Sequence, residues 1–192
     1  MRLTLSAVVM VAAALMCMVP VAAQSPSPAA SVRETAAASV RVERGLYTVT
    51  ADFNVAESLA IVRAVLTDYE RIPAFLPNVE KSVIVSRESG HVRVEQEVAG
   101  RMMMFSKRIC LKLDIREEAT AIYFIDTCRK QFSSYEGEWQ IDAAPAHTTV
   151  HYRVTANPSF SVPSFLLSRM LKHDAEKLIA ALQVEMTARA KR

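Results

Sequence analysis

From residue 40 to residue 157 the chain mostly alternates apolar and polar positions, and one helical stretch interrupts it. Val40 and Val42 alternate with Arg41 and Glu43, and Gly45 then offers a turn. Tyr47, Val49, Ala51 and Phe53 alternate with Thr48, Thr50 and Asp52. A period of two gives each run one face to bury and one to leave in water, which predicts half-buried strands. Asn54 with Glu57 three residues later approximates a capping box, predicting a helix over 56–66. Tyr69, Ile72, Phe75 and Leu76 carry the apolar side onward, while Pro73 and Pro77 stop the helix.

The strand period resumes at Val79. Val83 and Val85 lead to a turn at Glu88-Ser89-Gly90, and Val92, Val94 and Val98 form the next apolar face. Gly100 marks a bend or turn. Phe105, Ile109, Leu111, Leu113 and Ile115 share odd parity before the charged turn Arg116-Glu117-Glu118. A strand over 121–127 follows. Tyr135, Gly137, Trp139 and Ile141 then oppose Glu136, Glu138, Gln140 and Asp142. After a turn at Pro145, Val150, Tyr152 and Val154 close the series. A loop bounded by Pro158 and Pro163 precedes a helix over Ser164–Ala190. Its apolar stripe is Leu167, Met170, Leu171, Ala175, Leu178, Ile179, Leu182 and Met186. Antiparallel strands with helices at the two ends are an α+β pattern.

Within this pattern, Leu66-Thr67-Asp68-Tyr69, Pro73, Phe75-Leu76-Pro77-Asn78, Tyr135-x-Gly137-x-Trp139 and the Pro-bounded loop before the last helix stand in a distinctive order. That order resembles the START-like superfamily, and within it the group named for polyketide cyclases and coenzyme Q-binding proteins. The resemblance covers residues 39–190. It implies a helix-grip fold, in which a curved antiparallel β-sheet wraps around a long C-terminal helix and encloses an apolar cavity. It also implies a hydrophobic ligand, lipid-like or quinone-like. It does not fix a chemistry, because one fold hosts several.

The expected ligand-binding set follows from inward phase: Phe75, Leu76, Phe105, Ile109, Tyr135, Trp139, Tyr152, Met170, Leu171 and Leu178. Lys107 shares that phase. Unbroken alternation points its ammonium inward, where it needs a partner or a place at the rim. A bulge after Met102-Met103-Met104 turns it outward instead. Phe160, Val162 and Phe165 are apolar residues in or beside a loop that would ordinarily be polar, and they form a candidate gate or membrane-touching segment. Methionines suit an adaptable lining. Asp68 with Arg71 reads as local capping and an exposed ion pair, and Glu95 and Glu97 as a solvated face.

Charge and composition exclude more than they assign. His91, His147, His151 and His173 have no metal-ligand spacing, so neither a metal nor a cofactor is expected. No nucleophile elbow, P-loop, zinc-protease or dinucleotide motif occurs. An enzyme of the cyclase type would need a positioned acid–base pair that the residues do not announce.

The N-terminus reads as a signal peptide over 1–23: Arg2, an apolar run over 3–19, then Pro20-Val21-Ala22-Ala23 before Gln24. The competing reading is an uncleaved anchor, for which the run is short. A lipoprotein signal fits poorly, because Met16 stands before Cys17 where a small residue is wanted. Export to a periplasm or to the exterior follows, with a Ser-, Pro- and Ala-rich disordered linker over 24–38. The mature chain from Gln24 carries 22 basic against 20 acidic residues, too balanced a charge for nucleic-acid binding.

Cys110 and Cys128 remain after cleavage, in a compartment that favours disulfides. A disulfide between them is expected: a hairpin around Arg116–Ala119 that pairs residues whose numbers sum to 238 sets the two thiols face to face. A tighter turn with a sum of 235 separates them. The reading is therefore an exported hydrophobic-ligand carrier or chaperone with transient membrane contact. Its alternatives are a cyclase-type enzyme and an envelope protein–protein adaptor.

Overall fold

The computed structural model describes residues 37–76, 78–102 and 105–192, without the side chains of 100–107. The expected signal peptide, most of the linker, and the side chains of Phe105 and Lys107 therefore lie outside the described residues.

Among the described residues eight strands form one antiparallel sheet: β1 (Ala38–Glu43), β2 (Leu46–Val55), β3 (Val79–Glu88), β4 (His91–Met102), β5 (Phe105–Glu117), β6 (Ala121–Asp126), β7 (Phe132–Ala143) and β8 (Thr148–Pro158). Their spatial order is β1-β2-β8-β7-β6-β5-β4-β3. Chain neighbours are sheet neighbours throughout, except between β2 and β3. There α1 (Leu59–Leu66), a 3₁₀ turn (Tyr69–Arg71) and α2 (Ile72–Phe75) carry the chain to the far edge. The last element is α3 (Ser164–Ala190). Together these make the α+β helix-grip fold.

The alternation read from the sequence places the inner face. Tyr47, Val49, Ala51, Phe53 and Val55 are buried along β2, and Val150, Tyr152, Val154 and Ala156 along β8. Arg44 and Gly45 join β1 to β2 with φ of 51° and 83°. Positive φ at both central residues is what a two-residue turn matching the strand twist requires.

α1 starts at Leu59, later than expected, because Asn54 continues β2 instead of capping a helix; Ser58 holds the N-cap position. Thr148 Oγ1 donates to the Glu57 carbonyl at 2.7 Å and ties that connection to β8. β3, an edge strand, carries two irregularities of register, between Val79 and Lys81 and between Ile84 and Ser86. Such bulges discourage pairing with a further strand. One consequence is that Val83 and Val85 point outward, 38% and 59% exposed.

Gly100 does not end β4, and no bulge follows it. The β4–β5 ladder runs from His91↔Arg116 through Gly100↔Lys107 to Met102↔Phe105 without a shift.

The expected disulfide is corrected. β5 and β6 pair with Leu113 opposite Asp126 and Glu117 opposite Ile122, a register one residue away from the sum of 238. Pairing stops at Asp126, whose buried carboxylate accepts backbone N–H bonds from Lys112, Cys128 and Arg129 at 2.8, 3.0 and 3.0 Å. Beyond Asp126 the Thr127 N–H still donates to the Lys112 carbonyl at 2.8 Å, and the chain then turns away at Arg129, where φ is 52°. Cys110 instead lies opposite Glu97 of β4, and both cysteines are free thiols.

α3 is fixed against the first helix at its far end. Arg189 donates to Asp68 Oδ2 at 2.7 Å, to Glu185 Oε1 at 2.8 Å and to the Ala64 carbonyl at 3.0 Å. Arg71 sits 3.9 Å from the same Asp68 carboxylate. The expected local pair is thus the weaker of two, and Asp68 chiefly anchors α3.

Candidate functional site

The inner face of the sheet and α3 enclose a cavity of about 280 Å³. Strand alternation supplies one wall. Ile109, Leu111, Leu113 and Ile115 come from β5, Ile122 and Phe124 from β6, Tyr135 and Trp139 from β7, and Tyr152 and Val154 from β8. Ile72, Phe75 and Leu76 reach it from α2 and its C-cap, and Leu171, Ala175, Leu178 and Leu182 from α3. Eight of the sequence-expected residues therefore meet here: Phe75, Leu76, Ile109, Tyr135, Trp139, Tyr152, Leu171 and Leu178.

Met170 does not join them. It precedes Leu171 by one position, about 100° round the helix, and is half-buried beside the cavity rather than in its lining. Phe160, Val162 and Phe165 are also outside the lining. Phe160 packs edge-on against Phe132, a lining residue, with ring centroids 6.2 Å apart. Val162 is half-buried, and Phe165 is 77% exposed.

The aromatic wall depends on a missing side chain. Phe124 lies opposite Gly137 in the β6–β7 ladder. A Cβ on Gly137 would stand 2.4 Å from the Phe124 ring and 2.6 Å from the Arg153 carbonyl oxygen. Glycine therefore leaves the space into which Phe124 leans. On either side of it Tyr135 packs against Phe132 at 5.1 Å, and Trp139 stacks on Tyr152 at 4.3 Å. Burial pushes the Tyr135 phenol up to about 12, with the Asp126 carboxylate adding to it. Burial also raises Tyr152 well above its ordinary value, with Tyr135 contributing. Both phenols therefore stay protonated near neutral pH and offer O–H donors inside an apolar chamber.

One part of the lining is polar by construction. Tyr69 donates to Glu117 Oε1 at 3.0 Å, and Arg87 approaches the same carboxylate oxygen at 3.4 Å while lying over the Tyr69 ring. Burial, then Glu117, hold the Tyr69 phenol far up. Arg63 of α1 donates to the carbonyls of Glu118 and Ala119 in the β5–β6 turn. This network joins the helical connection to the sheet.

Phase reasoning missed three polar lining residues: Asn78, Gln96 and Asp174. Gln96 has the even parity of Val94 and Val98, and its amide donates to buried Ser82 at 3.2 Å. Asp174 falls three residues after Leu171 and four before Leu178, on the apolar stripe of α3. Its carboxyl is raised by burial, against the opposing pull of His173 and Lys177. A charged residue at a stripe position was the signal for it.

A family sequence profile described as polyketide cyclase / dehydrase and lipid transport matches residues 58–183. The chain belongs to that family. None of the curated proteins compared matches it in sequence. Among solved structures it is similar to a START superfamily protein from Mycobacterium smegmatis. Identity is 18%, the TM-score is 0.63, and the match covers 73% of this chain and 97% of the other. A STAR-related lipid transfer protein fragment from Xanthomonas axonopodis is 13% identical with a TM-score of 0.62, covering 79% and 99%. An aromatase/cyclase from a Streptomyces species is 17% identical with a TM-score of 0.60, covering 77% and 94%. Likeness at this identity establishes the START-like fold and leaves the ligand to be argued from the cavity.

Proposed function

We propose that the protein is an exported carrier or chaperone for a lipid-like or quinone-like molecule held between the sheet and α3. The observation that carries this reading is the cavity itself. It is walled almost wholly by aliphatic and aromatic side chains from seven strands, three α-helices and the 3₁₀ turn, with few polar groups among them. Such a chamber gains free energy by removing apolar ligand surface from water, about 25 cal/mol per Å² before association costs. The Tyr135 and Tyr152 hydroxyls and the Gln96 amide can orient a polar head. Phe160, lying on Phe132, serves as part of a gate with Val162, and exposed Phe165 offers an apolar contact to a membrane during exchange. Export rests on the N-terminal sequence pattern alone.

Native mass spectrometry of the purified mature protein, with solvent extraction of what it carries, tests this. A co-purifying hydrophobic molecule is expected. Turnover of the extracted molecule would move the reading to a cyclase-type enzyme. A protein that carries nothing and takes up no added quinone or lipid would move it to an adaptor.

A further inference from the structure

We propose that Asp174 filters ligands by charge: it admits molecules whose polar end is a hydrogen-bond donor or a cation, and turns away those ending in a carboxylate. The inference rests on the cavity being a ligand site, and it adds which hydrophobic ligands that site takes.

Asp174 lines the cavity and is also solvent-exposed, which puts it at the opening. Among the described residues it is the only lining side chain of the carboxylate, ammonium or guanidinium type. The other polar groups there are phenols, amides and the indole. No described cation pairs with it within 4.0 Å; His173 and Lys177, its helical neighbours, act on it only from further off. A carboxylate without a close counter-ion beside an apolar chamber interacts through a medium less screening than water. Its acceptor oxygens suit a hydroxyl or ammonium, and an entering carboxylate meets like charge while losing its own hydration. The raised carboxyl of Asp174 agrees with that setting.

Trp139, the only tryptophan of the chain, is in the cavity wall, so its emission reports occupancy. Decylamine, decanol and decanoate, each below its micelle concentration, are titrated at neutral pH into the mature protein and into Asp174→Asn and Asp174→Lys. In the unmodified protein decanoate is expected to bind at least about tenfold more weakly than decanol or decylamine, roughly 1.4 kcal/mol. Asp174→Asn is expected to bring decanoate to within about threefold of decanol, and Asp174→Lys to place it ahead of decylamine. Circular dichroism verifies that both variants fold. Equal binding of decanoate and decylamine by the unmodified protein, with Trp139 responding to both, overturns the filter and leaves the ligand site standing. The same holds if Asp174→Asn leaves the ranking unchanged. Failure of all three probes to bind, confirmed by calorimetry, removes the ligand site and the filter together.

Discussion

A methyl group at position 137 has nowhere to go. Its contact at 2.6 Å is with a backbone oxygen, which cannot swing aside as a side chain can. Gly137→Ala is therefore expected to lower stability by about 1–3 kcal/mol through overpacking, measured by urea unfolding. It should also disturb Trp139 emission, because Phe124 must leave the wall it shares with Tyr135. On the outer face, His151 lies between two carboxylates, 2.7 Å from Asp52 and 3.2 Å from Asp142. The hydrogen bond to Asp52 is the chief cause of its raised value, burial opposes it, and Asp142 adds to it. A folded value above the unfolded one, ordinarily about 6.5, fixes the sign. The stabilisation is complete below the unfolded value and is lost as pH rises through the folded one. NMR titration of His151 should show the raised value, and Asp52→Asn should lower it. An unchanged midpoint in that variant would refute the assignment.

At the scale of elements, the C-terminal turn of α3 is held to α1 through one guanidinium. Arg189 is only 15% exposed, and its partners Asp68 and Glu185 are 26% and 13% exposed. Arg189→Met removes three hydrogen bonds and leaves two carboxylates facing each other's neighbourhood. A loss of about 1–3 kcal/mol is expected, discounted from the fully buried case because water reaches Asp68. Hydrogen exchange should rise first in the last turns of α3 and in α1. The β5–β6 hairpin makes a second prediction. With the β5–β6 ladder ending at Asp126, labelling of unfolded, unreduced protein beginning at Gln24 should find both Cys110 and Cys128 free. Asp126→Ala strands three backbone donors and should cost more than loss of a single surface hydrogen bond.

For the molecule as a whole, uptake and stability should separate at the loop before α3. Phe160 packs on Phe132, a residue of the cavity wall, and Val162 is half-buried. Replacing both by serine is expected to change the rate of ligand uptake several-fold while shifting the melting temperature by only a few degrees. Identical uptake kinetics in that variant would remove the gate. Trp139→Ala should behave differently. It deletes a half-buried ring stacked on Tyr152, costs roughly 2–3 kcal/mol of stability, and weakens binding as well.

The succession of strands along the chain, most of the inner face and the long last helix were legible in the sequence, because burial of one face writes a period of two or of 3.6 into the residues. Val49, Trp139, Tyr152 and Leu178 declare their side by that period alone, and with them most of the cavity wall. Other features belong to three dimensions. Whether Cys110 meets Cys128 turned on one residue of register, which the β5–β6 ladder holds from the turn to Asp126, where the buried carboxylate helps to end the pairing. Asp68 reads locally as the partner of Arg71, yet its closer partner, Arg189, is 121 residues away. Asp174 reads as one polar residue in an apolar stripe, and only the packing of α3 over the sheet turns it into the charge at a cavity's opening. Periodicity records which side a residue faces. What it faces depends on long-range partners, which leave no periodic trace in the chain.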